Sequence, residues 1–180
     1  GQAHTVEGLI QDLNGATAAS DWSVDTADQL KTLKVLRIAL ATGALTWLES
    51  FHTSDGLAAL CSATCKEIAM FPKRSAQNGS PVLQECALSL TAYMDFKEGF
   101  KSVLKSSECL QLLVKLLNIP DPKVAQNTCE LLTVILYART GHLQVMRAFT
   151  KAVPHGRNRF RSLVAQMASK PTAALMVCGL

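Results

Sequence analysis

Residues 86–104 read CALSLTAYMDFKEGFKSVL, and residues 128–146 repeat them in outline as TCELLTVILYARTGHLQVM. A shift of 42 positions superposes six identical residues: two Val, one Gln, one Leu, one Thr and one Gly. A third glycine, Gly56, lies 43 residues before Gly99, and each of the three glycines opens an apolar run. Periods of about 40 to 47 residues with only helical patterning are typical of armadillo and HEAT repeats. The sequence therefore predicts an all-α, armadillo-repeat-like right-handed α-solenoid.

Proline and turn residues place the helix starts. Pro81 follows NGS and Pro122 follows NIPD, and proline is tolerated in the first turn of a helix because its missing N–H has no partner there. Long helices are expected at 81–95 and 122–138, forming the concave wall of the solenoid. Apolar spacing predicts further helices at 6–14, 26–41, 99–106, 108–118, 159–169 and 171–180. Because the last is largely apolar and terminal repeats carry a polar outer face, we expect the solenoid to continue past residue 180.

Composition favours a folded module. Of the 180 residues, 48% are hydrophobic and 18% are charged, which allows a sizeable core and lacks the signature of disorder. The formal charge of +4 is spread along the chain and only modestly concentrated near its end, so we predict no nucleic-acid binding. The sequence has no signal-peptide pattern and no uninterrupted apolar run of about 18 residues. We therefore expect no transmembrane segment and a cytoplasmic location.

Residue types that carry catalysis or bind metals show no functional spacing. The four histidines are scattered, and Cys61 and Cys65 have no second Cys or His pair at zinc-ligand spacing. Most of the cysteines lie among Leu, Ala and Val, where a reduced thiol behaves as a small buried apolar group. The sequence predicts no enzyme activity, no metal and no cofactor. The basic stretch 147–161 is expected to be a solvated face, with an acidic lipid or acidic partner as the alternative.

One face of the long helices is a candidate binding surface. One stripe of the 122–138 helix consists of Asn127, Leu131, Val134 and Ala138, and its counterpart one repeat earlier consists of Glu85, Ser89, Ala92 and Phe96. The adjoining stripes are more polar and consist of Gln84, Thr91 and Asp95 in one helix and Gln126, Glu130, Thr133 and Tyr137 in the other. A shallow apolar patch bordered by polar groups suits an amphipathic helix. The alternative is that Leu131 and Val134 are simply buried between repeats.

Six segments, in their order and spacing, resemble the N-terminal regulatory region of diaphanous-related formins. They are LRIALATGALTWLESF, DGLAALC, LSLTAYMDFKEGFKSVL, ECLQLLVKLLN, VAQNTCELLTVILYARTGHLQVMRAF and RFRSLVAQM. The short Gly141-His142 turn is more similar to the inverted formins than to the diaphanous ones. The expected division is into residues 1–43, a helical part of the GTPase-binding region, and residues 44–180, an armadillo-like inhibitory domain truncated at its C-terminus.

The resemblance implies the off-switch of an actin regulator. In this family the inhibitory domain binds an amphipathic helix from the C-terminal tail of the same protein, which restrains the actin-assembling domain, and an activated Rho-family GTPase loosens that grip. The expected location is therefore the cytoskeleton, and actin is reached only through the rest of the protein. Together with the stripes described above, the resemblance gives a predicted tail-helix site of Thr91, Ala92, Asp95, Asn127, Leu131, Val134, Tyr137 and Ala138.

Two positions depart from the family pattern. Val134 stands where the family often has Ala, so the groove for the tail helix is expected to be reshaped or weakened. The turn Ala41-Thr42-Gly43-Ala44 is the predicted GTPase-binding position, but diaphanous members place an Asn-rich turn there. Loss of those polar contacts predicts weak or absent GTPase binding.

The main alternative is an armadillo-type peptide-binding scaffold or transport adaptor unrelated to actin. Such solenoids use ladders of concave Trp and Asn, whereas this chain has only Trp22 and Trp47, neither of them on a long concave helix. A purely structural spacer between other domains is the third possibility.

Overall fold

The computed structural model describes residues 5–15, 26–74 and 80–152, together with residue 164. Every regular element in these residues is an α-helix. The helices are α1 Val6–Gly15, α2 Thr26–Thr42, α3 Leu45–Thr53, α4 Gly56–Arg74, α5 Pro81–Met94, α6 Lys97–Lys105, α7 Ser107–Leu116, α8 Pro122–Leu136 and α9 Gly141–Ala152. The predicted all-α, armadillo-like class is confirmed.

The predicted helix positions agree closely with α1, α2, α5, α6, α7 and α8, whereas no helix was predicted at the positions of α3, α4 and α9. The long helices α5 and α8 begin at Pro81 and Pro122 as expected and end at Met94 and Leu136, slightly earlier than predicted. Helix α6 begins before its predicted start at residue 99, because the N–H of Phe100 already donates to the carbonyl oxygen of Phe96 at 2.9 Å. The helices expected at 159–169 and 171–180 lie outside the described residues, apart from residue 164.

The repeated glycine marks the same backbone turn after α5 and after α8. A Cβ atom on Gly99 would collide with the carbonyl oxygen of Tyr93, and one on Gly141 would collide with the carbonyl oxygen of Ile135. In both turns the carbonyl belongs to a residue near the end of the preceding long helix, at the same distance along the sequence. Only glycine leaves room for this approach, which explains why it recurs while most of the surrounding sequence changes.

The chain forms two compact units, and the first contains the described residues of Gly1–Arg74 and Pro81–Val103. Its main packing is between α2 and α5. The hydroxyl of Ser89 donates to the carbonyl oxygen of Leu33 at 3.5 Å, and Nε of Arg37 donates to Oε2 of Glu85 at 2.8 Å. These contacts fix which side of α5 is covered. The predicted division at residue 43 follows functional parts of the family rather than compact units, and it stays a prediction.

The second unit contains the described residues of Ser75–Ser80 and Leu104–Leu180, in which α7, α8 and α9 pack against one another. The start of α8 is fixed by the buried carboxylate of Asp121. Its Oδ1 accepts from the backbone N–H of Lys123 at 2.9 Å and of Val124 at 3.3 Å, and its Oδ2 accepts from the N–H of Ser80 at 2.7 Å. Because this cap sets the first turn of α8, it also sets which residues further along the helix face the core.

Candidate functional site

The exposed face of α8 carries part of the predicted tail-helix site. Val134 is 53% exposed and Tyr137 is 88% exposed, while Asn127 and Ala138 are half-buried. Leu131 is only 2% exposed, because at about 100° per residue it points toward the side of α8 that also carries the buried Ile135. The exposure expected for Leu131 is therefore not found. The alternative, that these side chains are buried, is correct for Leu131, whereas Val134 is exposed.

The polar residues beside Val134 and Tyr137 have partners within α8. Nε2 of Gln126 donates to Oε1 of Glu130 at 3.2 Å, and the hydroxyl of Thr133 donates to the carbonyl oxygen of Cys129 at 2.8 Å. A ligand that covers the apolar end of α8 can therefore leave these bonds in place. This arrangement is chemically suited to apolar docking rather than to proton or group transfer.

Helix α5 presents a different exposed stripe in the first unit. Thr91 and Asp95 are exposed as predicted, and the half-exposed Leu88 lies on the same face. Leu88 was not singled out from the sequence, although its spacing of four residues from Gln84 and three from Thr91 places it on this face. The hydroxyl of Thr91 donates to the carbonyl oxygen of Ala87 at 3.1 Å, so this face offers one apolar side chain between polar ones.

Equivalent positions in the repeat differ in exposure. Ala92 and Val134 coincide under the 42-residue shift, yet Ala92 is only 7% exposed. In the first unit α2 lies along α5 on the side that carries Glu85 and Ser89, and Ala92 follows them at helical spacing on that side. Ala92 thus offers no exposed surface, contrary to expectation.

The predicted GTPase-binding turn joins α2 to α3 and is exposed. Ala41, Thr42 and Ala44 are exposed, and Gly43 is half-buried. A Cβ atom on Gly43 would collide with the carbonyl oxygen of Ala39, so the turn requires glycine. The hydroxyl of Thr42 donates to the carbonyl oxygen of Ile38 at 2.8 Å, and Ala44 gives α3 no side-chain cap. The turn therefore has little polar side-chain chemistry to offer a partner.

Two exposed apolar side chains flank this turn and were not singled out from the sequence. Ile38 on α2 is 54% exposed and Leu45 at the start of α3 is 59% exposed. Ile38 lies three residues before Ala41, and Leu45 lies one residue after Ala44. Both would have been identified from the sequence if the residues that flank the turn had been considered with it. Contacts made here would be mainly apolar.

The remaining reactive side chains in the described residues lie either in the core or individually at the surface. Burial raises the pKa of the Cys86 thiol to about 12, with a hydrogen bond to Thr64 opposing the shift and the nearby Glu67 adding to it. Cys109 and Cys129 are also buried, as expected for structural thiols, whereas Cys65 is exposed. Among the described residues no cluster of His, Cys, Asp and Glu could hold a metal ion. Nor does any helix in this part of the chain have the length and apolar character to cross a membrane.

Trp47 lies on the nine-residue helix α3 rather than on one of the long helices. Its ring stacks on that of Phe51 with a centroid distance of 5.6 Å and an interplanar angle of 8°. Trp22 lies outside the described residues. The one tryptophan that the structure describes therefore packs within a short helix, in agreement with the expectation that it lies on no long concave helix.

An all-helical, armadillo-like module with exposed patches for protein contacts is therefore defined by the fold and its surfaces. The model of the Diaphanous GTPase-binding Domain family matches residues 2–137. The chain belongs to this family, which confirms the predicted resemblance to the regulatory region of diaphanous-related formins. Formin-H of Dictyostelium discoideum is 27% identical over 137 residues, which cover 75% of this chain and 12% of Formin-H. The chain thus corresponds to a small part of the length of this relative.

Proposed function

We propose that this chain is a regulatory, non-catalytic segment of an actin-assembly factor of the formin type. It binds the C-terminal autoregulatory helix of the same protein and holds that protein inactive until a Rho-family GTPase releases it. Membership in the diaphanous GTPase-binding family over residues 2–137 supports the GTPase-responsive role. A cytoplasmic, cytoskeleton-associated location follows from that role.

The observation that carries tail binding is the open apolar end of α8. Val134 is 53% exposed and Tyr137 is 88% exposed, one helical turn apart, so both present to the same side. An amphipathic helix that covered them would bury apolar area while the Gln126–Glu130 bond stays intact. Leu131 is buried and not accessible to a ligand. It contributes instead to the packing that holds α8 in place.

The GTPase contact is assigned to residues 41–44 with their apolar flanks Ile38 and Leu45. The hydroxyl of Thr42 is already bonded within α2, so a GTPase would find mainly apolar contacts there. Lacking the polar side chains of the diaphanous turn, this site should bind a GTPase weakly.

The test of tail binding is Val134→Asp, measured with the full 180-residue chain and a peptide of the C-terminal helix from the whole protein. The new charge stays hydrated in the free domain because Val134 is exposed, so stability should change little. Docking must desolvate the charge, which should weaken binding about a hundredfold or more. Leu136→Asp is the matched control, because Leu136 is 46% exposed and points about 200° away around α8.

Binding unchanged in Val134→Asp, or lost equally in Leu136→Asp, would place the tail site elsewhere. Unfolding of Val134→Asp would make Val134 a core residue and would remove the observation on which the site rests. Circular dichroism of each variant separates this outcome from a loss of binding.

A further inference from the structure

The charge is distributed less evenly along the sequence than the modest concentration described above. All 14 acidic residues precede residue 131. Residues 131–180 contain seven of the 18 basic residues and no Asp or Glu, so this segment alone has a formal charge of +7. A cluster of cations without compensating acids creates a positive field that attracts anionic surfaces. Helix α9 is the longest described element within this segment.

Helix α9 is amphipathic, and its second face is open. Val145, Ala148 and Phe149 are buried, on the side that packs against α7 and α8. Around the opposite side Leu143 is 50% exposed and Met146 is 39% exposed. The exposed side of α9 thus carries apolar side chains at its centre, spaced about one helical turn apart.

Cations border this apolar centre. Arg147 and Lys151 are exposed along one edge of the face, one helical turn apart, and neither makes an ion pair with any residue in the described part of the chain. Nζ of Lys151 donates to the hydroxyl of Ser107 at 3.3 Å, a bond to a neutral group that leaves its charge uncompensated. Both charges can therefore interact with an anionic partner.

The polar group within the face needs no external partner. The hydroxyl of Thr150 donates to the carbonyl oxygen of Met146 at 2.9 Å. Covering the face therefore leaves no unsatisfied hydroxyl at Thr150, and the cost of desolvation there is small. His142 lies at the other edge of the face and is exposed.

We propose that the exposed face of α9, formed by Leu143, Met146, Arg147, Thr150 and Lys151, binds an anionic membrane surface. An apolar strip edged by Arg and Lys is the pattern of helices that lie in the interface of a bilayer, with apolar side chains between the acyl chains and cations at the headgroups. An acidic peptide or nucleic acid would use the cations but leave Leu143 and Met146 without a role. Arg157, Arg159 and Arg161 follow in sequence and lie outside the described residues.

The test is co-sedimentation of the 180-residue chain with phosphatidylcholine vesicles, with and without about one phosphatidylserine in three lipids. Binding is expected only to the anionic vesicles and should fall steeply with added salt. Arg147→Gln should weaken it about fivefold, and Leu143→Ser should weaken it about fivefold to tenfold through lost apolar insertion.

Matched controls come from other helices. Lys34→Gln on α2 removes one exposed cation, and Leu136→Ser on α8 removes an apolar side chain whose 46% exposure is close to that of Leu143. Both should bind anionic vesicles like the unaltered chain. If the control variants lost as much vesicle binding as the α9 variants, binding would depend on net charge rather than on the face of α9, and the proposal would be overturned.

Other results also overturn it. They are equal binding to neutral and anionic vesicles, absence of binding to either, and tighter binding to a poly-glutamate peptide or a DNA duplex that Leu143→Ser leaves unchanged. Loss of helical circular dichroism in Leu143→Ser would show that another part of the chain covers this face in solution. That result would overturn the proposal as well, and Arg147→Gln tests the charge independently of packing.

Discussion

The phenolic oxygen of Tyr93 lies 2.7 Å from Nδ1 of His52, a contact between α5 and α3 that spans 41 positions of sequence. Tyr93 is completely buried, and its ring meets that of Phe51 edge-on with a centroid distance of 5.7 Å. A buried phenol needs a hydrogen-bond partner, and the imidazole of His52 provides one. His52, one of four histidines with no functional spacing in the sequence, thus has a structural role.

Tyr93→Phe should lower the free energy of unfolding by about 1 to 2 kcal/mol, because it leaves the ring packed but removes the partner of a half-buried histidine nitrogen. Urea denaturation measures this. Tyr137→Phe removes a hydroxyl from a residue that is 88% exposed and should change stability by less than about 0.5 kcal/mol. Equal effects of the two substitutions would show that the His52 contact contributes nothing to stability.

The repeated glycines give a second prediction. Gly99→Ala and Gly141→Ala each place a Cβ atom against a backbone carbonyl, which cannot rotate away, so each should lower the free energy of unfolding by about 2 kcal/mol or more. Gly8→Ala is the control, because its Cβ would meet only the side-chain oxygen of Thr5 at 3.0 Å and alanine favours helix by about 1 kcal/mol. Thermal unfolding that ranks Gly8→Ala as the worst of the three would contradict this explanation of the repeat.

Six of the helices in the described residues could be predicted well because their signals are local, whereas α3, α4 and α9 were not predicted. Pro81 and Pro122 mark helix starts, and the glycine at 99 and 141 marks a turn, so each signal needs only neighbouring residues to act. The cap on α8 shows the limit of such signals. Asp121 could be predicted to accept from Lys123 and Val124, but its bond to the N–H of Ser80 joins residues 41 positions apart and depends on the fold.

The candidate site could be predicted only in part, because exposure depends on which neighbour covers a helix. Helical spacing identified Val134 and Tyr137, which are open, but it placed Leu131 on the same stripe although that residue is buried. The equivalent stripe one repeat earlier predicted that Ala92 belongs to the site, but Ala92 lies on the side of α5 that packs near α2. A pattern within one helix cannot contain this information, since the covering helix comes from a distant part of the sequence.

Leu131 and Val134 form a matched pair that tests this distinction. Leu131→Ala removes buried atoms and should lower the free energy of unfolding by about 2 to 4 kcal/mol, whereas Val134→Ala should change it by less than about 0.5 kcal/mol. Chemical denaturation of the two variants provides the comparison. A large loss of stability in Val134→Ala would mean that its side chain is covered in solution.

The turn at 41–44 leads to a prediction about affinity. Active Rho-family GTPases should bind the 180-residue chain with Kd weaker than about 1 μM, because the Thr42 hydroxyl is engaged within α2 and its neighbours are alanine and glycine. Leu45→Ser should weaken that binding further, whereas Leu136→Ser, at an exposed leucine of the second unit, should not. Titration by calorimetry measures both, and a submicromolar Kd would show that polar contacts in this turn are dispensable.

Cys86 should make stability depend on pH in the alkaline range. Burial raises its pKa from 9.0 to about 12, so above pH 9 the unfolded state releases this proton while the folded state retains it. Unfolding is then favoured by rising pH: the contribution of the Cys86 thiol to stability is fully present below pH 9, and it is lost between pH 9 and about 12.

Cys86→Ala should reduce the slope of stability against pH in this window by up to about 1.4 kcal/mol per pH unit. Urea denaturation at a series of pH values measures the difference, and identical slopes in the two proteins would mean that the thiol ionises as easily in the folded state as in the unfolded one. Alkylation of the native chain gives an independent check, because the exposed Cys65 should react well before Cys86.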